Sequence, residues 1–177
     1  MSECFSAVVG NDALCARLAS ELRGDKLSHA YIFEGPRGIG KHTLAKETAM
    51  ALACRERTAK NAPIPCRKCP ECRKIEEGFS PDIITVKKPA DRVFLPVDTI
   101  RELRRTISVV PNDLSFKVYI IEDAHTMNAQ AQNAFLLTLE EPPPFVLFLL
   151  LTESAGALLE TIRSRAPILR LSRVSVD

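Results

Sequence analysis

Three groups of residues in this chain have the types and spacing to do chemistry. The first is Gly35-Pro36-Arg37-Gly38-Ile39-Gly40-Lys41, preceded by apolar Tyr31, Ile32 and Phe33 and followed by helix-forming residues. A strand, a glycine-rich turn and a helix start in that order make a phosphate-binding loop. Gly35, Gly38 and Gly40 let backbone N–H groups curl around an anion, the first N–H groups and dipole of the new helix face it, and Lys41 adds a full positive charge. The next position departs from the pattern. A magnesium-dependent site places Ser or Thr there to ligate the ion through a hydroxyl oxygen, and this chain has His42. Magnesium takes hard oxygen ligands, which an imidazole does not supply. Thr43 carries a hydroxyl, but one step along a helix rotates a side chain by about 100°. The loop reads as one that holds phosphate without transferring it.

The second group is Cys54, Cys66, Cys69 and Cys72. The last three are separated by two residues each, and Cys54 ends the helix that leaves the phosphate loop, so all four can converge on one tetrahedral ion. His29, His42 and His125 belong to other elements. Four thiolates leave no open coordination position, which makes the expected ion a structural zinc rather than a catalytic one. The surrounding module, about residues 54–74, mixes Arg55, Arg57, Lys60, Arg67 and Lys68 with Glu56 and Glu71. Interspersed charges of this kind read as solvated surface before nucleic-acid contact.

The third group is Glu122 and Asp123, at the end of the apolar run 117–121. Two acids at a strand tip beside a phosphate loop either order a magnesium shell and polarise the attacking water, or cap the strand, and the residues leave both open. Nucleotide-hydrolysing motors carry Asp before Glu; here Glu122 comes first, adding a methylene on the magnesium side and removing one where reach toward water counts. Thr152 ends another apolar run, 145–151, where ligands of open α/β sheets collect, and its hydroxyl is placed to sense a terminal phosphate.

The elements that position these groups follow from periodicity. Asn11 or Asp12 caps a helix with Leu14, Leu18 and Leu22 on one stripe, ended by Gly24. Residues 83–86 form a strand, Asp98 opens a helix with Ile100, Leu103 and Ile107 inward, and 117–121 form the next strand. Asn128 caps a helix stopped by Pro142-Pro143-Pro144; 145–151 and 168–171 are the last strands. Strands alternating with helices predict an α/β fold with a parallel, doubly wound sheet. The length of 177 residues and 46% hydrophobic content suit one domain with a substantial core. A net charge of +2 excludes a general polyanion binder. No basic n-region heads the chain and no apolar run approaches the ~20 residues of a membrane span, so a soluble, cytoplasmic protein is expected.

With the phosphate loop, the cysteine module, KVYIIEDAH, QAQNAFLLTLEEPPP and TIRSRAP placed in that order, the chain resembles bacterial clamp-loader subunits of the AAA+ class over nearly its whole length. The resemblance implies a five-stranded sheet, a four-cysteine zinc insert after the first helix of the loop, and a Ser-Arg-Cys motif whose arginine reaches a neighbouring subunit's ATP. Ser164 and Arg165 match that motif, and Ala166 stands in place of its cysteine. Within the family, His42, the Glu122-Asp123 order and FLPVDTIRELRRTISVVP resemble the delta-prime type, and the Asp-Ala-Ala-Ser stretch of gamma/tau subunits is not found. The implied role is a largely non-hydrolysing stator of the DNA polymerase III holoenzyme, lending Arg165 to gamma/tau neighbours beside delta during loading of the sliding clamp onto primed DNA. Family members continue into lid and collar domains, so residues 1–177 are expected to be the first domain, which without a lid would hold ATP and magnesium on one side only and bind ATP weakly or not at all. Two alternatives are an ATP-hydrolysing gamma/tau-like motor and a zinc-module nucleic-acid-binding protein with a vestigial phosphate loop.

Overall fold

The computed structural model describes residues 4–24 and 26–173. Five parallel strands form one sheet in the order β2-β3-β4-β1-β5: β1 is Ala30–Glu34, β2 Ile83–Val86, β3 Lys117–Ile121, β4 Val146–Thr152 and β5 Ile168–Arg170. The helices are α1 Asp12–Arg23, α2 Lys41–Ala53, α3 Pro70–Glu76, α4 Val97–Thr106, α5 Ala129–Glu140 and α6 Glu160–Arg163.

Strand side chains alternate between two cores, because successive residues of a strand point to opposite faces. Tyr31, Phe33, Val118, Ile120, Leu147, Leu149 and Leu151 pack with α1, α2 and α3, whereas Ala30, Ile32, Tyr119, Ile121, Phe148 and Leu150 pack with α4, α5 and α6. All seven residues of β4 are buried. An apolar run with no polar alternation therefore marks a central strand covered on both faces. The expected α/β class, parallel topology and five strands are all present.

Several boundaries differ from the sequence reading. Strand β4 starts at Val146, since its N–H bonds the Pro143 carbonyl in the proline turn, and it extends to Thr152, in register with Glu34. Strand β5 stops at Arg170 rather than 171, where β1 gives way to the phosphate loop. Asn11 precedes α1, but its side chain makes no capping bond: Asn11 Oδ1 accepts from the Ser172 N–H at 2.8 Å and Nδ2 donates to the Ser172 carbonyl. It ties α1 to the end of β5 instead. Helix α4 begins one residue before Asp98, on Pro96, with no side-chain cap. The Asn128 cap forms as expected, accepting from the Ala131 N–H at 2.8 Å. Helix α3 was hidden among prolines and cysteines. It starts with Pro70 at the first position, where a missing N–H costs nothing.

Asp82 carries a structural task that periodicity does not reveal. Its fully buried carboxylate accepts from the N–H groups of Asn112, Asp113 and Leu114 at 2.7–2.8 Å, clamping the loop before β3 to the start of β2. Burial raises its pKa, but the three donors outweigh that and hold it below the ordinary 3.8. A lowered folded pKa stabilises fully above the unfolded value and is lost as pH falls through the folded one. Asp82→Asn is expected to cost about 1–3 kcal/mol at pH 7. It should also flatten the loss of stability expected as pH falls below the ordinary aspartate value of 3.8. Urea melts of both proteins across that range check it, and equal acid sensitivity would refute the clamp.

Candidate nucleotide and metal sites

Parallel register brings the phosphate loop, the tip of β3 and the end of β4 to one edge of the sheet. Phe33 pairs with Leu151 and Ile121 with Leu150, so the residues after each strand surround one opening. There Arg37, Gly38, Gly40, Lys41, His42, Thr43, Glu122, Asp123, Leu151 and Glu153 line a cleft of about 460 Å³. This is the carboxyl edge, where open α/β sheets bind ligands.

Two glycines shape the loop for physical reasons. Gly40, at φ 102°, starts α2 in a conformation that L side chains rarely adopt. A Cβ on Gly35 would sit 2.9 Å from Ile39 Cγ2 and 3.3 Å from the Leu171 carbonyl, so a larger residue would force Ile39 and the segment after β5 to shift. The Lys41 ammonium donates to the carbonyls of Gly35 and Pro36 at 2.5 and 2.8 Å. Burial pushes its pKa down against the pull of Glu153 and Asp123.

The groups at the tip of β3 are already engaged with their neighbours. His42 Nε2 lies 3.3 Å from Glu122 Oε1, Lys87 Nζ lies 3.9 Å from the same oxygen, and Lys88 Nζ lies 3.6 Å from Asp123 Oδ2. Asp123 itself is left-handed at φ 49° and starts a short 3-10 turn. Thr43 lines the cleft on the turn beside His42. Thr152 is fully buried; its hydroxyl donates to the Ser154 carbonyl at 2.9 Å and accepts the Ser154 N–H, closing the turn after β4.

Residues that the sequence did not single out brace this edge. Glu34 accepts the Ala155 N–H at 2.8 Å and Arg170 Nε at 2.6 Å, joining the ends of β1, β4 and β5. The Ala155 N–H, then Arg170, hold its pKa down against burial. Lys87 and Lys88 follow β2 directly, so their place at a strand's carboxyl end was the available signal.

Arg165 lies at the other edge. It follows α6 and precedes β5, donates to the Thr161 carbonyl at 2.9 Å and stands 3.6 Å from Glu140 at the end of α5. A five-residue strand separates the two edges by roughly 17 Å. Arg165 therefore does not serve the cleft of its own chain.

The cysteines do converge. The sulfurs of Cys54, Cys66, Cys69 and Cys72 all lie within 4.8 Å of one another. Zn–S bonds of ~2.3 Å place tetrahedral sulfurs about 3.8 Å apart, so the set fits a zinc ion. Cys54 comes from the end of α2, Cys66 from the loop, Cys69 from the cap of α3 and Cys72 from its first turn. Burial pushes the Cys66 thiol up, but the N–H groups of Cys69 and Lys68 outweigh it and bring the pKa to about 7. Thiolate is the ligand form, so these N–H groups favour metal binding. A bound ion would supply a cross-link between α2 and α3.

Residues 10–175 match the family described as DNA polymerase III, delta subunit. The chain belongs to this family. Its relatives include the tau subunit of Bacillus subtilis, 36% identical over 97% of this chain and 29% of that protein. The tau/gamma subunit of Haemophilus influenzae is 38% identical over 91% of this chain and 22% of its own length, and the Escherichia coli tau subunit is 36% identical over 99% and 26%. The chain thus spans less than half of the relatives it matches. Among solved structures, a gamma-subunit-related protein of Thermotoga maritima superposes with a TM-score of 0.59 at 23% identity, covering 89% of this chain and 46% of that one. The Thermotoga RuvB branch-migration motor superposes at 0.57 and 20% identity, covering 98% and 49%. At such identities the likeness establishes the fold alone, an AAA+-type P-loop fold. Among the described residues, no helix is long and apolar enough to cross a membrane.

Proposed function

We propose that this chain is the phosphate-loop domain of a cytoplasmic clamp-loader subunit, of delta-prime type, that does not hydrolyse ATP itself and completes the site of a neighbour with Arg165. The observation that carries the reading is the contact of His42 Nε2 with Glu122 Oε1 at 3.3 Å, which puts an imidazole where a magnesium site needs a hydroxyl oxygen. The position of Arg165 at the edge opposite the cleft supports action in trans. In this reading the partners are gamma/tau and delta subunits, and the assembled loader acts on the sliding clamp and primed DNA.

A second reading, an ATP-hydrolysing gamma/tau-like motor, is favoured by the names of the relatives, which are tau and gamma. Turnover separates the two. The purified chain with excess magnesium and ATP is expected to release phosphate no faster than its Lys41→Ala variant. Magnesium-dependent release that Lys41→Ala abolishes would establish the motor reading instead.

A further inference from the structure

We propose that the cleft is a binding site for a nucleoside polyphosphate free of divalent metal, with Lys87 and Lys88 supplying the charge that magnesium supplies elsewhere and His42 standing in place of a magnesium ligand. The inference rests on the reading of the cleft as a phosphate-holding site and adds the ionic form of its ligand.

Both acids that a metal would need are paired with cations of this chain. Glu122 faces His42 Nε2 at 3.3 Å and Lys87 Nζ at 3.9 Å, and Asp123 faces Lys88 Nζ at 3.6 Å. Magnesium demands near-octahedral oxygen ligation at about 2.0–2.1 Å and sheds water reluctantly. Seating it here would break these pairs and set a dication beside two lysines. An anion meets the opposite field. Around the opening, Arg37, Lys41, Lys87 and Lys88 outnumber Glu122, Asp123 and Glu153. A polyphosphate can take the Lys41 ammonium from the Gly35 and Pro36 carbonyls and lie against the start of α2. Lys87 and Lys88 then exchange part of their carboxylate pairing for phosphate oxygens that carry more charge in the metal-free form.

The test is calorimetric titration of the purified chain with ATP, once in excess magnesium and once in EDTA. The dissociation constant in EDTA is expected to be no more than about threefold above that in magnesium. Lys41→Ala should weaken binding roughly tenfold in both buffers, since it removes one charge-assisted contact. His42→Ser supplies a hydroxyl and leaves Glu122 with Lys87 as its one remaining ion-pair partner among the described residues, so its binding should become stronger in magnesium than in EDTA. A wild-type constant that rises more than threefold in EDTA, or no binding in either buffer, overturns the inference. Phosphate release in magnesium would count against the non-hydrolysing reading whatever the EDTA titration gives, so the two fail separately.

Discussion

Arg165→Ala is expected to slow ATP hydrolysis by a loader assembled with gamma/tau and delta subunits by about a thousandfold at the neighbouring site it is proposed to complete, the lower end of what an arginine supplied in trans contributes. The guanidinium fork suits the equatorial oxygens on which charge develops as the phosphoryl group transfers. Among the described residues its guanidinium makes weak polar contacts: an exposed bond to the Thr161 carbonyl and a 3.6 Å approach to Glu140. Exposed pairs of this kind contribute about 0–1 kcal/mol, so the variant should melt within a few degrees of the wild type and still assemble. Single-turnover measurement at the adjoining subunit is the decisive readout. Unchanged hydrolysis there, with assembly intact, would remove the trans role.

Metal removal should have the second largest effect, on stability. About one zinc per chain is expected by elemental analysis, and stripping it should lower the melting temperature by around 10 °C. That figure follows from about 4 kcal/mol of linkage for metal at a thousandfold its dissociation constant and ~2–4 °C per kcal/mol for a domain of this size. Cys72→Ala should abolish zinc binding and make the protein insensitive to chelator. Cys15→Ala removes a thiol buried elsewhere, between α1 and α2, and should leave the metal content at one. A metal-free wild type with intact thiols, whose melting does not respond to added zinc, would eliminate the site.

These two predictions draw on different amounts of sequence information. The phosphate loop and cysteine module were legible because each is local: the glycines, Lys41 and the closely spaced thiols declare their chemistry through spacing alone. Short-range order also gave the strands, since runs such as 145–151 have no polar face to offer water and must be buried on both sides. Element ends were less legible. Asn11 has the composition of a cap, yet its amide serves Ser172, far along the chain, which no local pattern can announce. Asp82 and Glu34 were likewise invisible, because a carboxylate becomes a clamp only when distant N–H groups arrive around it.

The sequence by itself determined the chemical repertoire: a cradle for phosphate, four thiols for one ion, and a histidine where a hydroxyl is needed. Tertiary structure decided which charges answer which. Parallel pairing of β3 with β4, and of β4 with β1, carries Glu122 to His42, and pairing of β2 with β3 draws Lys87 and Lys88 onto the acids, while winding α5 and α6 across the other face carries Arg165 to the far edge. The physical reason is range. Motif chemistry resides in neighbouring residues, but the electrostatic field of a site is the sum of groups from several strands, and only the packed sheet fixes their separations.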